Sequence, residues 1–197
     1  MKNSHKKQNT STKNSLPIKI SKITLSFALT LLIFSATLTA FASPITEENV
    51  LKNINDQRII NNLKPLKIDQ DLNRAATLKS KDMINRDYFD HYAFGLSPWV
   101  FIRNAGYDYD EAGENLAMDF VTSEGMVNAW MNSPKHRDNI LNADYQDIGV
   151  GIVKGEFTQG ESTHTTYMVT NMFGTRKTDI SQIFTNVISR FTRFFGF

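Results

Sequence analysis

The chain has 197 residues and no cysteine, with 22 Lys and Arg against 20 Asp and Glu and a formal charge of +2. Six of these cations and none of the acids lie in residues 1–42, so the other 155 residues (197 − 42) carry 16 cations, 20 acids and a charge of −4. The composition excludes a disulfide-stabilised domain, and the absence of a basic stripe interleaved with aromatic residues argues against nucleic-acid binding.

Residues 1–42 have the composition of an export segment. Six lysines precede or border an apolar run, residues 23–42, which ends in Ala-Phe-Ala at residues 40–42. A basic start, an apolar centre and small residues before Ser43 are typical of a secretory signal peptide. The run of about 20 residues also matches a bilayer span, so an uncleaved membrane anchor is the main alternative and a buried helix the third. Both export hypotheses place the remaining domain outside the cytoplasm, secreted or at the cell envelope.

Helix start and stop signals divide the first half of the remaining chain into helical segments. Capping residues followed by acids or proline mark the starts, while proline and glycine mark the ends. The predicted segments are a helix from Glu47 to about Leu63 capped by Thr46, a second capped by Asp69 or Asp71 and reaching Met83, a third from Pro98 to about Asn104 capped by Ser97, a fourth capped by Ser123 and ended by Pro134, and a helical turn over residues 136–141.

Two later segments have the composition of β-strands. They are residues 148–153 (IGVGIV) and residues 165–173 (TTYMVTNMF). The polar stretch between them, residues 154–164, contains two glycines and is predicted to form a hairpin loop. Helices followed by an antiparallel strand pair predict an α+β fold.

Three polar side chains are candidates for a functional site: His91, Glu114 and His136. Two imidazoles and a carboxylate can bind a divalent metal or perform acid–base chemistry. Their spacing forms no local ligand motif, and the chain contains no HExxH, GxSxG or phosphate-loop sequence. The residues alone therefore leave structural alternatives open, in which the two histidines only cap helices and Glu114 caps a helix from a buried position.

Other polar and aromatic residues nearby have structural interpretations. Asn115 and Asn139 are expected to make structural hydrogen bonds, and Trp130 is expected in the core. Ser97 and Ser133 each precede a proline at a helix start, so both are interpreted as helix caps and not as nucleophiles.

The order of several segments is more informative than their spacing. Residues 89–91 (FDH) are followed by residues 113–117 (GENLA), residues 130–141 (WMNSPKHRDNIL) and residues 147–151 (DIGVG). Over about residues 47–174 this order closely resembles the CAP superfamily, and most of all its bacterial SCP-domain branch, which lacks disulfides. The resemblance implies a three-layer α-β-α sandwich with a small antiparallel sheet and a central cleft.

The resemblance also implies roles for the candidate residues. His91 and His136 match the family's two cleft histidines, and Glu114 matches the glutamate of the GEN motif. The second family acid often lies three residues after the tryptophan, where this chain has Ser133. The three matching residues are therefore expected to bind a ligand in the cleft and, as a tentative metal site, a divalent ion such as zinc with water as the fourth ligand.

Three functions remain open at this point. The first is an exported, non-catalytic binding protein whose cleft holds a small ligand, lipid or peptide. The second is a metal-assisted hydrolase or peptidase in which Glu114 acts as general base on a bound water. The third is a structural or adhesive protein tethered to the envelope. The absence of an activated nucleophile favours a protein that is not an enzyme.

The C-terminal residues 177–197 lie outside the resemblance and predict an amphipathic helix capped by Asp179. Its apolar residues recur at intervals of three and four, and its other face carries Ser, Thr, Asn and Gln with two arginines. This helix either packs on the domain, lies on a membrane surface or pairs with another chain. The predicted domains are thus 1–42, 43–176 and 177–197, and the apolar positions of the last are Ile180, Ile183, Phe184, Val187, Ile188, Phe191, Phe194 and Phe195.

Overall fold

The computed structural model describes residues 43–178 and 180–195, so the predicted export segment and the predicted cap Asp179 lie outside the described residues. None of the described helices is both long enough and apolar enough to cross a membrane. In chain order the elements are α1 (Glu47–Ile60), β1 (Lys67–Ile68), α2 (Gln70–Asn85), α3 (Pro98–Asn104), β2 (Tyr109–Ala117), α4 (Ser123–Asn132), α5 (Pro134–Ile140), β3 (Asp147–Gln159), β4 (Ser162–Arg176) and α6 (Ile180–Phe195).

Four strands form one sheet in the order β1-β3-β4-β2. Strand β3 pairs antiparallel with β4, and β4 pairs antiparallel with β2. The short β1 pairs parallel with β3, so the sheet is mixed and not purely antiparallel as expected. Helix α2 and the adjoining α3 cover one face, whereas α1, α4 and α5 cover the other. The predicted α+β class and α-β-α layering are therefore confirmed.

Alternation along β3 sends its side chains to two different layers. Ile148 and Val150 join the core shared with α1 and α4. Gly149 and Gly151 face α2, where a Cβ at either position would overlap a backbone carbon of that helix. The absence of these two side chains allows α2 to pack directly against the strand backbone. This contact sets the distance between the sheet and the side chains that α2 directs toward the site.

Three local predictions need correction. Residues 154–164 are not a loop, because β3 and β4 continue to a tight turn at Gly160 and keep their pairing to the end. Alternating side chains with several threonines suit an exposed two-stranded ribbon, and their polarity alone suggested a loop. The cap of α4 is Thr122, whose hydroxyl accepts from Gly125 N, and Ser123 is the first helical residue. Helix α1 ends at Ile60, earlier than expected, and Asp69 is the cap of α2.

Candidate functional site

The candidate residues meet at the outer edge of the sheet. Strand β2, which contains the GENLA segment, has only one neighbouring strand, so every second carbonyl group points away from the sheet. Two side chains from the α4–α5 layer bond these outward carbonyls. Trp130 Nε1 donates to Leu116 O at 2.9 Å, and Asn139 Nδ2 donates to Glu114 O at 3.0 Å. These bonds attach α4 and α5 to the strand edge.

Two hydrogen bonds of the Asn115 side chain set the position of His136. Asn115 Nδ2 donates to His136 O at 3.0 Å, while Asn115 Oδ1 accepts from Asn139 Nδ2 at 2.8 Å. Asn115 and Asn139 thus make the structural hydrogen bonds that were expected of them, and Trp130 is buried as expected. Together they hold the first turn of α5 beside β2, and His136 lies in that turn.

On the opposite face, a buried lysine positions the loop that carries His91. Lys79 is fully buried in α2, and its Nζ donates to Asp90 O at 2.8 Å and to His91 O at 3.2 Å. It also lies 3.2 Å from the Tyr88 hydroxyl and 4.8 Å from the centre of that ring. Burial lowers the pKa of Lys79, which the negative charge of Glu114 partly offsets. The ammonium group therefore holds the loop in place through the carbonyl oxygens of Asp90 and His91.

The same loop is constrained at its far end. Phe94 has φ +55°, a left-handed conformation that is costly for a large side chain, and Gly95 follows at φ +76°. The Phe94 ring packs edge-on to Tyr88, and its centre lies 3.6 Å from the Arg86 guanidinium. These contacts close the loop over α2, so that His91 faces β2.

His91 and Glu114 form a hydrogen-bonded pair. His91 Nδ1 and Glu114 Oε1 lie 2.7 Å apart, and the two side chains are 43% and 2% exposed. Burial raises the pKa of Glu114, against the opposing effects of the His91 bond and the Lys79 charge. The second carboxylate oxygen, Oε2, is buried without any hydrogen-bond partner among the described residues. Glu114 is a strand residue, so its alternative interpretation as a helix cap is wrong.

His136 has a different partner. Its Nδ1 lies 2.9 Å from the Ser133 hydroxyl, three residues earlier. Burial, and then the proximity of His91, lower the pKa of His136, which favours its neutral form. Ser97 and Ser133 occupy the N-cap positions of α3 and α5, as expected, although neither makes a side-chain cap bond. Pro98 starts α3 as expected, whereas α5 starts at Pro134 and not at residue 136. The Ser133 side chain instead orients the imidazole.

All three candidates line one cleft of about 500 Å³ between the two layers. Tyr92 and Trp99 contribute aromatic surface on the His91 side, and Lys135 and Asp138 contribute charges on the α5 side. The fourth histidine, His164, lies instead on the β3–β4 ribbon, where its Nε2 lies 2.8 Å from Asp119 Oδ1. The structure therefore brings His91, Glu114 and His136 together and leaves His164 out.

In the described part of the chain, these side chains are not arranged as a three-ligand metal centre. One nitrogen of each imidazole contacts a protein group: His91 Nδ1 lies 2.7 Å from Glu114 Oε1, and His136 Nδ1 lies 2.9 Å from the Ser133 hydroxyl. Across residues 43–178 and 180–195, no group of three or more His, Asp or Glu side chains has the geometry to hold a metal ion. Metal binding by these residues stays a prediction from the sequence.

Lys79 is the functional residue that sequence inspection missed. It lies in the second half of α2 beside the charged residues Lys81 and Asp82, where lysine normally faces water. A signal existed in its position between the apolar residues Ala76 and Met83, on the face that packs against the sheet. Only the folding of the following loop over that face shows why a cation is needed there.

Comparison with known proteins agrees with this geometry. The model of the CAP family, described as the cysteine-rich secretory protein family, matches residues 51–172. The uncharacterized protein YkwD of Bacillus subtilis is 44% identical over 110 residues, which cover 55% of this chain and 42% of that protein. The chain thus spans less than half the length of this relative.

Two solved structures have the same fold. An outer surface protein of Borrelia burgdorferi is 25% identical with a TM-score of 0.55, and the match covers 70% of this chain and 100% of that one. An extracellular protein of Bacillus anthracis that contains a SCP domain is 26% identical with a TM-score of 0.56, over 69% of this chain and 45% of that one.

Proposed function

Because the chain belongs to the CAP family, whose model matches residues 51–172, we propose that it is an exported binding protein without catalytic activity. Its cleft takes a ligand that presents hydrogen-bond donors, and a peptide is the ligand class that fits best. Export is supported by the N-terminal segment and by two relatives named as outer-surface and extracellular proteins.

The observation that carries this proposal is the unpaired oxygen of Glu114. A buried carboxylate oxygen without a donor costs free energy, about 1–3 kcal/mol or more for a charged group. A ligand that donates an N–H or O–H to Oε2 recovers that cost, so the site favours donors over apolar molecules. Backbone amides of a peptide supply such donors at regular intervals, which a lipid chain does not.

The remaining cleft residues suit the same ligand. Tyr92 and Trp99 offer flat apolar surface next to the carboxylate, where peptide side chains can pack. The half-buried His91 and His136 present further polar groups to the opening. A small number of polar groups within an apolar lining is the usual composition of a ligand site.

The test is a nuclear magnetic resonance titration of the chain from Ser43 onward with acetyl-trialanine amide. We expect chemical-shift changes at His91, Glu114 and Asn139. The same peptide with N-methylated amides lacks the donors and should bind at least 10-fold more weakly. Glu114→Ala should abolish the difference between the two peptides.

His164→Ala serves as the matched control, because it also removes a histidine that pairs with a carboxylate. Its titration should equal that of the wild type. Equal binding of both peptides to the wild-type chain would contradict the proposed role of Glu114 as an acceptor.

A hydrolase is the second candidate, favoured by the orientation of His91. Its Nδ1 is bonded to the Glu114 carboxylate, which leaves Nε2 without a protein partner among the described residues. A carboxylate that fixes one imidazole nitrogen makes the other a general base for a bound water. Hydrolysis of peptides or cell-wall fragments that His91→Ala abolishes and His164→Ala preserves would replace the binding proposal with this one.

A further inference from the structure

We propose that helix α6 is a membrane-surface element that binds bilayers with anionic headgroups through one apolar face. This proposal is independent of the cleft and concerns residues beyond the family match, which ends at residue 172. It accounts for an apolar face on which the described large side chains are exposed to water.

The first observation is the exposure of that face. Phe184 is 63% exposed, Val187 48% and Ile188 60%. The next two apolar positions along the same face, Phe191 and Phe194, are 62% and 86% exposed. At 3.6 residues per turn these five side chains lie within one half of the helix circumference. A helix that packed this face on the domain would bury it, so these values do not fit that alternative.

The second observation is the charge of the helix. Residues 180–195 contain Arg190 and Arg193 and no acid. The two arginines are three residues apart and therefore project from neighbouring positions, with Arg190 bordering the apolar face. Both are exposed. Arginine beside an apolar face suits the headgroup region, where the guanidinium reaches phosphate while its stem stays in apolar surroundings.

The charge of the helix also favours a membrane over a second copy of the chain as the partner of the apolar face. Pairing two identical helices would bring four arginines together with no acid on either helix to neutralise them. An anionic bilayer neutralises them directly. The rest of the exported domain carries an excess of acids, but salt screens charges beyond about 10 Å, so the local charge of the helix decides.

The chain is attached to the domain immediately before the helix. Lys177 N donates to Asp108 O at 3.0 Å, and Arg176 is paired with Asp69 and Asp71 at 2.7 Å each. The domain therefore holds the chain firmly up to residue 177, and Ile180 begins the helix soon afterwards. A helix on such a short connection would keep the domain close to the surface that it binds.

Vesicle co-sedimentation of the chain from Ser43 onward tests this proposal. That chain retains the buried core of the described residues. We expect binding to vesicles of phosphatidylcholine with about 30% phosphatidylglycerol, and weaker binding to pure phosphatidylcholine. Phe184→Gln/Ile188→Gln should lower the partition coefficient at least 10-fold, because both apolar groups are lost at constant charge.

The matched control, Thr185→Gln/Thr192→Gln, makes the same number of changes outside the apolar face and should bind like the wild type. Arg190→Gln/Arg193→Gln should lower binding to the anionic vesicles by about 5-fold per arginine and reduce its salt dependence. Circular dichroism spectra confirm that each variant is folded.

Two results would overturn the proposal. One is equal partition of the wild type and the Phe184→Gln/Ile188→Gln variant. The other is the absence of vesicle binding by the wild-type chain. If that chain also sediments as a dimer, which the same variant returns to a monomer, the face belongs to a second copy.

Discussion

Replacement of Lys79 by methionine tests whether a buried cation supports the cleft. The change keeps the approximate length of the side chain and removes the ammonium group, so Asp90 O and His91 O lose their donor. Each of these partly buried carbonyls costs up to about 1–3 kcal/mol when left unpaired, and the avoided desolvation of the charge returns part of that. We therefore expect the free energy of unfolding to fall by about 2–4 kcal/mol.

Urea unfolding of the chain from Ser43 onward measures this loss. With a slope of about 2 kcal/mol per molar urea, the midpoint should fall by about 1–2 M. Lys81→Met is the matched control, since Lys81 lies on the same helix but is exposed, and should change stability by less than about 0.5 kcal/mol.

The same substitution has a second consequence at the site. The positive charge of Lys79 lowers the pKa of Glu114, so its removal should raise that pKa further in a carbon-13 titration of the carboxyl group. The loosened loop should also weaken binding of acetyl-trialanine amide at least 10-fold. Equal urea midpoints for Lys79→Met and Lys81→Met would refute the structural reasoning for this lysine.

The other predictions concern the sheet and its edge. Gly151→Ala places a Cβ against the α2 backbone and should destabilise the domain by about 3 kcal/mol or more in urea. Gly155→Ala places its Cβ 2.6 Å from the Cγ2 methyl of Ile84, which is a side-chain and not a backbone atom, and should cost less. Equal losses would contradict direct backbone packing. Burial raises the pKa of Glu114 in the folded chain, so this residue contributes stability at low pH. That contribution is lost as the pH rises from the ordinary pKa of 4.5 through the raised pKa. Glu114→Gln should therefore gain stability relative to the wild type over that rise, and a constant difference from about pH 4 to about pH 8 would contradict the shift. Asn139→Ala removes two hydrogen bonds and should lower stability by about 2 kcal/mol, with the largest chemical-shift changes at His136; unchanged His136 shifts would contradict the role of Asn139 in holding α5 beside β2.

Much of this site was predictable because its residues lie in ordered motifs. The GENLA segment and the segment from Trp130 to Leu141 indicated which side chains would meet, and the structure brings His91, Glu114 and His136 to one cleft. The pairings within the cleft were not predictable. They depend on a loop that folds over α2 and on which carboxylate oxygen faces His91, and neither is visible in residue spacing.

The fold was predicted better than its details for a related reason. Periodicity and capping residues located the helices, since both are local properties of the chain. The length of the β3–β4 ribbon was missed because Lys154 to His164 are polar, and pairing between strands compensates for that polarity only once both strands are present. Asp69 and Asp71 could not be separated as caps from sequence, because both are acids at the start of α2.

The two side chains that attach α4 and α5 to β2 also cover part of the open edge of the sheet. Trp130 and Asn139 occupy two outward carbonyls of β2, which would otherwise offer a template for another strand. Altering the cleft through either residue would therefore change more than ligand recognition, since it would expose a pairing edge and favour aggregation. His91, His136 and Ser133 contact the cleft without bonding that edge through their side chains, so they are the positions at which its specificity can be re-engineered while the protein stays soluble.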